Sequence, residues 1–223
     1  MNLRLLTTFA LTAALASAAS DATERLKASA EAFKEVMGIP DRSIPQELLA
    51  KAYCVIIVPD LKKGAFIIGG QYGKGFVSCR KDSGVGWSAP GAVRIEGGSV
   101  GFQIGGTETD VFMLIMNKKG MDRLLSTKFT VGGEASAAAG PVGRTTQAET
   151  DAAMTAEILT WSRSRGLFAG ISLKGSTLRE DKDWNKDLYG KATTNRDIIT
   201  KGTAAPAAAA EWMSELNRFS SRK

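Results

Sequence analysis

No histidine occurs in the 223-residue chain. Its absence removes the commonest general base, the commonest zinc ligand and the proton acceptor of most serine and cysteine nucleophiles. Enzyme readings lose their usual foundation, and no catalytic role is expected. Cysteine occurs only as Cys54 and Cys79, a poor basis for a structural zinc site without histidine. Aromatic residues make up 7%, too sparse for the successive stacking contacts of single-stranded nucleic acid, which is not an expected partner. Apolar runs of membrane-spanning length are also missing: the N-terminal one, from Leu5 to Leu15, is too short for a spanning helix.

That run has another explanation. Met1-Asn2-Leu3-Arg4 supplies a basic start, and Ala16-Ser17-Ala18 follows the apolar stretch, the pattern of a secretory signal. Cleavage is expected near Ala18, leaving residues 19–223 as one exported, periplasmic domain. No cysteine near that site offers a lipid attachment point. The formal charge of the whole chain is +6, and loss of Arg4 leaves +5, a balance that suits an anionic surface. Export also permits a disulfide. Cys54 and Cys79 each sit in a strand-like run, Ala52–Val58 and Phe76–Arg80, and either form one, if those runs are neighbours, or remain two buried thiols.

The remaining 43% hydrophobic, 23% charged composition is that of a globular domain. Asp21–Met37 reads as an amphipathic helix with Leu26, Ala30, Phe33 and Met37 on one stripe and Lys27 and Lys34 at its flank. Gly38-Ile39-Pro40 ends it, and a short helix Gln46–Lys51 follows Pro45. Residues 52–178 read as a β-rich core. Strand-like pieces Tyr53–Val58, Ala65–Tyr72, Gly75–Arg80 and Val85–Trp87 suggest a meander, with Pro59-Asp60 ending the first. Eighteen of the 24 glycines fall between Gly64 and Gly143. At Gly97-Gly98 the apolar alternation changes phase, which predicts a bulge. Val111–Met116 is apolar throughout and predicts a strand covered on both faces. A helix Met121–Ser126, a strand Phe129–Val131 and a hairpin through Ser164-Arg165-Gly166 come next. Residues 179–223 form a helical region with helices at Trp184–Leu188, Asn195–Ile199 and Glu211–Phe219. The fold class is α+β: a twisted antiparallel sheet or partly closed barrel with flanking short helices.

Several catalytic motifs occur in letters only. Gly97-Gly98-Ser99-Val100-Gly101 matches the nucleophile elbow, which requires a histidine. Ser78-Cys79-Arg80-Lys81 and Ser220-Ser221-Arg222-Lys223 match S-x-x-K, but the first lies on a strand and the second at the terminus. Glu108 with Asp110, and Glu180 with Asp181 and Asp183, read as solvated turn carboxylates. No metal or cofactor is expected. Positive pairs survive this screen: Lys62-Lys63, Lys118-Lys119 with Arg123, and Arg163 with Arg165. All read as turns, and turns at one end of a sheet would converge into a basic rim for phosphate head groups.

Ile39-Pro40-Asp41 with Ile44-Pro45, Lys63-Gly64-Ala65-Phe66, Trp87-Ser88-Ala89-Pro90, Gly101-Phe102-Gln103-Ile104-Gly105, Gly140-Pro141-Val142-Gly143-Arg144 and Ser164–Leu173 occur in an order that resembles the SYLF domain family. The resemblance spans nearly all of residues 19–223 and suits an exported bacterial member. It implies a non-enzymatic domain that binds acidic phospholipids, with an N-terminal amphipathic helix in membrane contact. In fungi and animals such domains also bind actin and are joined to SH3 or FYVE modules. The signal and the missing module argue against actin here, so generic anionic phospholipid is the expected partner. Leu26, Lys27, Phe33, Lys34, Lys62, Lys63, Lys118, Lys119 and Arg123 are the candidate lipid-binding residues. The alternative is a structural or protein-interaction module that docks another envelope protein.

Overall fold

A computed structural model describes residues 19–66, 68–99, 107–126, 128–143, 155–164 and 166–220. The signal-like segment, Arg165 and the run 100–106 lie outside the described residues. Helix α1 (Asp21–Met37) begins where the Ser20 side chain accepts from the Thr23 amide, and carries Asp21 and Glu24 in its first turn, where negative charge suits the helix dipole. Its buried face holds the predicted stripe and also Ala22, Ser29, Ala32 and Val36, so it is wider than the spacing alone implied. Helix α2 (Gln46–Lys51) follows Pro45 as read.

Among the described residues the sheet contains nine strands: β1 (Cys54–Phe66), β2 (Ile68–Cys79), β3 (Gly91–Ser99), β4 (Thr107–Ile115), β5 (Lys128–Thr130), β6 (Ala137–Ala139), β7 (Ile158–Ser164), β8 (Leu167–Gly170) and β9 (Thr177–Glu180). Their order is β5-β9-β3-β2-β1-β4-β7-β6, with β8 also on β7, and the sheet curls into an open half-barrel. Helix α3 (Lys118–Leu124) follows β4. Helices α4 (Lys182–Tyr189), α5 (Asn195–Thr200) and α6 (Ala210–Ser220) close the chain. The pairings are antiparallel except β6 with β7, a three-residue alanine strand whose composition carried no strand signal.

Pro59-Asp60 does not end β1. The strand continues to Phe66 because a bulge between Val58 and Leu61 takes these residues out of the ladder with β4, which spares a central strand the hydrogen bond proline cannot donate. Asp60 takes a positive φ of 49°, and its amide donates to Asp110 Oδ1 at 3.0 Å. Opposite this distortion β2 must be narrow: a Cβ on Gly75 would lie 2.0 Å from the Ile57 carbonyl oxygen. The segments read as Ala65–Tyr72 and Gly75–Arg80 are not two strands: Ala65 and Phe66 end β1, and Ile68–Cys79 runs on as the single strand β2. Gly97-Gly98 carries no bulge; β3 keeps one register on β2 from Gly69–Ser99 to Val77–Gly91. Around Val85–Trp87 only a bridge from Trp87 to Arg80 forms.

Two cores result. Phe112 and Leu114 point to the layer of α1, α2 and α6, while Val111, Met113 and Ile115 point to the opposite core with Leu124, Phe129 and Leu178. β4 is therefore covered on both faces, as its unbroken apolar run required. Cys54 and Cys79 are register partners on β1 and β2 and are joined in a disulfide. Among the described residues no helix is long and apolar enough to cross a membrane.

Candidate functional site

Accessible positive charge gathers around α3. Asn117 caps the helix by accepting from the Gly120 amide at 2.8 Å. Gly120 is buried against the sheet, where a Cβ would lie 2.9 Å from Ile115 Cγ2. With Gly120 and Leu124 inward, Lys118, Lys119, Asp122 and Arg123 line the outer side. Arg123 is held by Glu157: its Nη1 donates to Oε2 at 3.1 Å, which also accepts from the Ser136 amide, and Lys119 Nζ lies 2.9 Å from Oε1. Burial alone would raise the Glu157 pKa, but the hydrogen bonds and charges of Lys119 and Arg123 outweigh it and hold the carboxyl below its ordinary value. Lys118 pairs with Asp122 one turn on, at 2.8 Å.

Two grooves meet at this helix. One, of about 830 Å³, runs from α3 to β5 and is lined by Lys118, Lys119, Arg123 and Lys128. The other, of about 540 Å³, lies between α3, Tyr53, the 81–84 turn and Arg196. Both share Lys118 and Asp122, and besides the inward Arg80 together they present six basic residues against the acidic Asp82, Asp122 and Glu134. Arg80 is committed inward: its Nη atoms donate to the Ser220 and Leu49 carbonyls, and its guanidinium lies over the Trp87 ring. Arg196 Nη2 donates to the Leu125 carbonyl. Tyr53 is 40% exposed beside these cations, so the second groove combines charge with an amphipathic ring. Such a surface can hold phosphate or carboxylate oxygens without performing chemistry on them.

The other candidate residues do not gather here. Cys54 pairs with Ile115, close to Asn117, whereas Lys62 pairs with Glu108 at the far end of the same two strands. Seven residues along β4 place these ends roughly 23 Å apart. Lys62 and Lys63 lie within β1 rather than in a turn, and Arg163 lies within β7. Lys62 is matched by Glu108 at 3.8 Å. Arg163 is sandwiched by Glu35 and Asp110; burial would lower its pKa, but these two carboxylates raise it overall. The single basic rim expected from turns is therefore split. Leu26 and Phe33 are buried between α1 and the sheet, while Lys27, paired with Glu31, and Lys34 are exposed. Lys81, Lys128, Arg196 and Tyr53 belong to the basic surface but stood in no sequence cluster, because β5, the 81–84 turn and α5 meet only in the fold.

Ser78 is fully buried and accepts from Trp212 Nε1 at 2.8 Å; the side chain of Ser99 lies outside the described set. Asp181 caps α4 and pairs with Lys74. Among the described residues no group of three or more acidic or cysteine side chains is placed to hold a metal.

A family model described as "Ysc84: Las17-binding protein actin regulator" matches residues 96–219. The chain is 40% identical over 170 residues to an SH3 domain-containing protein of Schizosaccharomyces pombe, a match that covers 74% of this chain and 39% of that protein. It is 34% identical over 184 residues to the human SH3 domain-containing YSC84-like protein 1, covering 82% of this chain and 53% of the relative. With Protein YSC84 of Saccharomyces cerevisiae it shares 35% over 173 residues, covering 76% and 36%. The chain thus spans about half or less of the length of these relatives. The family description gives no support to the expectation that excluded actin.

Proposed function

From the premise that the chain belongs to the Ysc84 (SYLF) family, we propose that this domain binds the surface of anionic phospholipid membranes, peripherally and without catalysis. The observation that carries this reading is the excess of basic over acidic residues in the two grooves that share Lys118. Each lysine or arginine brought near an anionic bilayer contributes about 1 kcal/mol, so a few such contacts bind reversibly. Tyr53 sits at head-group level in this orientation. Helix α1 stays on the sheet, with Leu26 and Phe33 in the core and only Lys27 and Lys34 available to add charge. The signal-like N-terminus makes the membrane an extracytoplasmic one.

Co-sedimentation with vesicles of phosphatidylserine in phosphatidylcholine tests this reading. Binding is expected to fall as salt rises, since screening acts within about 8–10 Å, and to fall at least tenfold in Lys118→Glu/Lys119→Glu. Equal binding to pure phosphatidylcholine, or indifference to both salt and the double reversal, overturns it.

The family's description as a Las17-binding actin regulator supports a second reading, a protein-interaction module whose partner is actin or a Las17-like regulator. Co-sedimentation with purified actin filaments separates the two, because a lipid-only domain stays in the supernatant.

A further inference from the structure

At the β3–β9–β5 end of the sheet, on the face that carries α1 and α6 farther along, strand register sets a row of cations. Arg94 on β3 pairs with Arg179 on β9, and Arg179 pairs with Lys128 on β5. Paired residues of antiparallel strands project to the same face, so three positive side chains stand in line across three adjacent strands. Lys74 of β2, paired with Arg94, continues the line but is occupied by Asp181 at 2.8 Å and by the Trp184 ring. Their strand neighbours Ile95, Leu178 and Phe129 point to the opposite core.

The row is under-neutralised. Glu96 serves both arginines, at 2.9 Å from Arg94 Nε and 3.3 Å from Arg179 Nε. Both Nε atoms are buried and lie outside hydrogen-bond geometry, an unusual state for buried polar nitrogens. Lys128 is exposed and has no ion pair among the described residues. Beside the row, Tyr72 is 47% exposed and pairs across strands with Glu96 and Lys62.

We infer that this face of β3, β9 and β5 docks an acidic helical segment of a protein partner, with partner carboxylates bound by Arg94, Arg179 and Lys128. The chemistry is already displayed by Glu96, a carboxylate held between two guanidinium groups, and arginine forks favour that ligand. The spacing selects a helix. Two inter-strand steps of about 4.8 Å make a row roughly 10 Å long, and acidic side chains at i, i+4 and i+7 of a helix span about 10.5 Å along one face. Alternate residues of an extended segment step by about 6.8 Å and drift out of line. Tyr72 supplies the flat apolar contact beside the row, but a lone exposed aromatic does not make a stacking track for nucleic acid. The face is separate from the grooves around α3 except at Lys128.

The test uses the whole chain and an alanine-based peptide of about 20 residues, long enough to form a helix, with glutamate at i, i+4 and i+7, labelled for anisotropy. Controls are the same peptide with glutamine for glutamate and a glycine-interrupted peptide of equal charge. The helical acidic peptide is expected to bind, the glutamine peptide not measurably, and the interrupted peptide at least fivefold more weakly. Arg94→Gln/Arg179→Gln should weaken peptide binding at least tenfold while vesicle binding is unchanged; Lys118→Glu/Lys119→Glu should do the reverse. If the double variant melts early, Tyr72→Ser and Arg179→Lys, each expected to lose severalfold in affinity at unchanged melting temperature, replace it. Binding that ignores Arg94 and Arg179, equal binding of the glutamine peptide, or a loss that appears in vesicle binding instead overturns the inference.

Discussion

Truncating Phe33 tests whether α1 is a core element or a detachable membrane helix. The ring is 1% exposed and meets Phe219 of α6 edge-on, with centroids 5.9 Å apart, so α1, the sheet and α6 converge on it. Phe33→Ala removes that contact and opens a cavity, a change that costs about 3–5 kcal/mol in a packed core, against a total stability of roughly 5–15 kcal/mol. In a chain of this length each kcal/mol corresponds to about 2–4 °C, so the melting temperature should fall by roughly 10–15 °C. Phe33→Glu should fall further, because it buries a charge with no partner. The outer side of α1 is tied down as well: Arg25 donates to the Pro59 carbonyl and to Asp60, and Glu35 pairs with Arg163. Thermal melts followed by circular dichroism, with vesicle binding measured well below the lower transition, give both quantities from one preparation. The expected result is a large loss of stability with vesicle binding retained in the folded fraction. An unchanged melting temperature with binding abolished would refute the packing argument and return Leu26 and Phe33 to the membrane.

Three further outcomes follow from the fold. Replacing Cys54 and Cys79 with serine opens a cross-link of sequence separation 25, worth about 3.5 kcal/mol in the chain-entropy model; a melting temperature equal to that of the oxidised protein would contradict it. Glu157→Gln should cost about 2 kcal/mol at neutral pH, since it removes charge-assisted bonds from Lys119 and Arg123. The folded carboxyl lies below its ordinary value of 4.5, so its contribution is complete above that value and disappears as pH falls through the folded pKa; urea unfolding of both proteins on the two sides of this window should show the difference vanish in acid, and a constant difference would contradict the pairing. Gly140→Ala places a Cβ 2.0 Å from Trp161 Cε2, and because that indole is fully buried and donates to the Pro141 carbonyl it has no room to yield; soluble expression with wild-type stability would count against the close contact.

The parts of the fold legible in the sequence are those where one periodicity acts alone. Val111–Met116 is apolar at every position because β4 separates two cores, and the α1 stripe repeats at helical spacing because one face meets the sheet. The β7–β8 hairpin announced itself through Gly166, whose φ is 80°. Reading failed where a local rule was overruled by a neighbouring strand. Pro59 is a sound stop signal for a regular strand, but here the bulge and the Asp110 side chain replace the ladder bonds that proline and Asp60 cannot make. Gly97 and Gly98 looked like the bulge, yet their neighbours on β2, Gln71 and Gly70, stay in register. What set Gly97 was close approach: a Cβ there would lie 3.1 Å from Ser176 Cα, a residue far away in sequence.

The same reasoning explains why the candidate site was only half visible. Adjacent basic pairs are easy to find along a chain, but their function depends on which carboxylates the register sets opposite them. At the far end of β1 and β4, Lys62 faces Glu108, Arg25 faces Asp60, and Arg163 faces both Glu35 and Asp110, so positive charge there is spent within the molecule. Around α3 the matching is incomplete, since Glu157 serves both Lys119 and Arg123 while Lys128 has no acid of its own among the described residues. At the β3–β9 end of the sheet one carboxylate, Glu96, again serves two arginines. Binding potential in this protein thus lies where one acid is shared by two bases, and that ratio is a property of strand register rather than of composition. A chain with the same +6 charge but with Glu108 moved to face Lys128 would keep its pI and lose part of the positive excess around α3 on which an anionic partner depends.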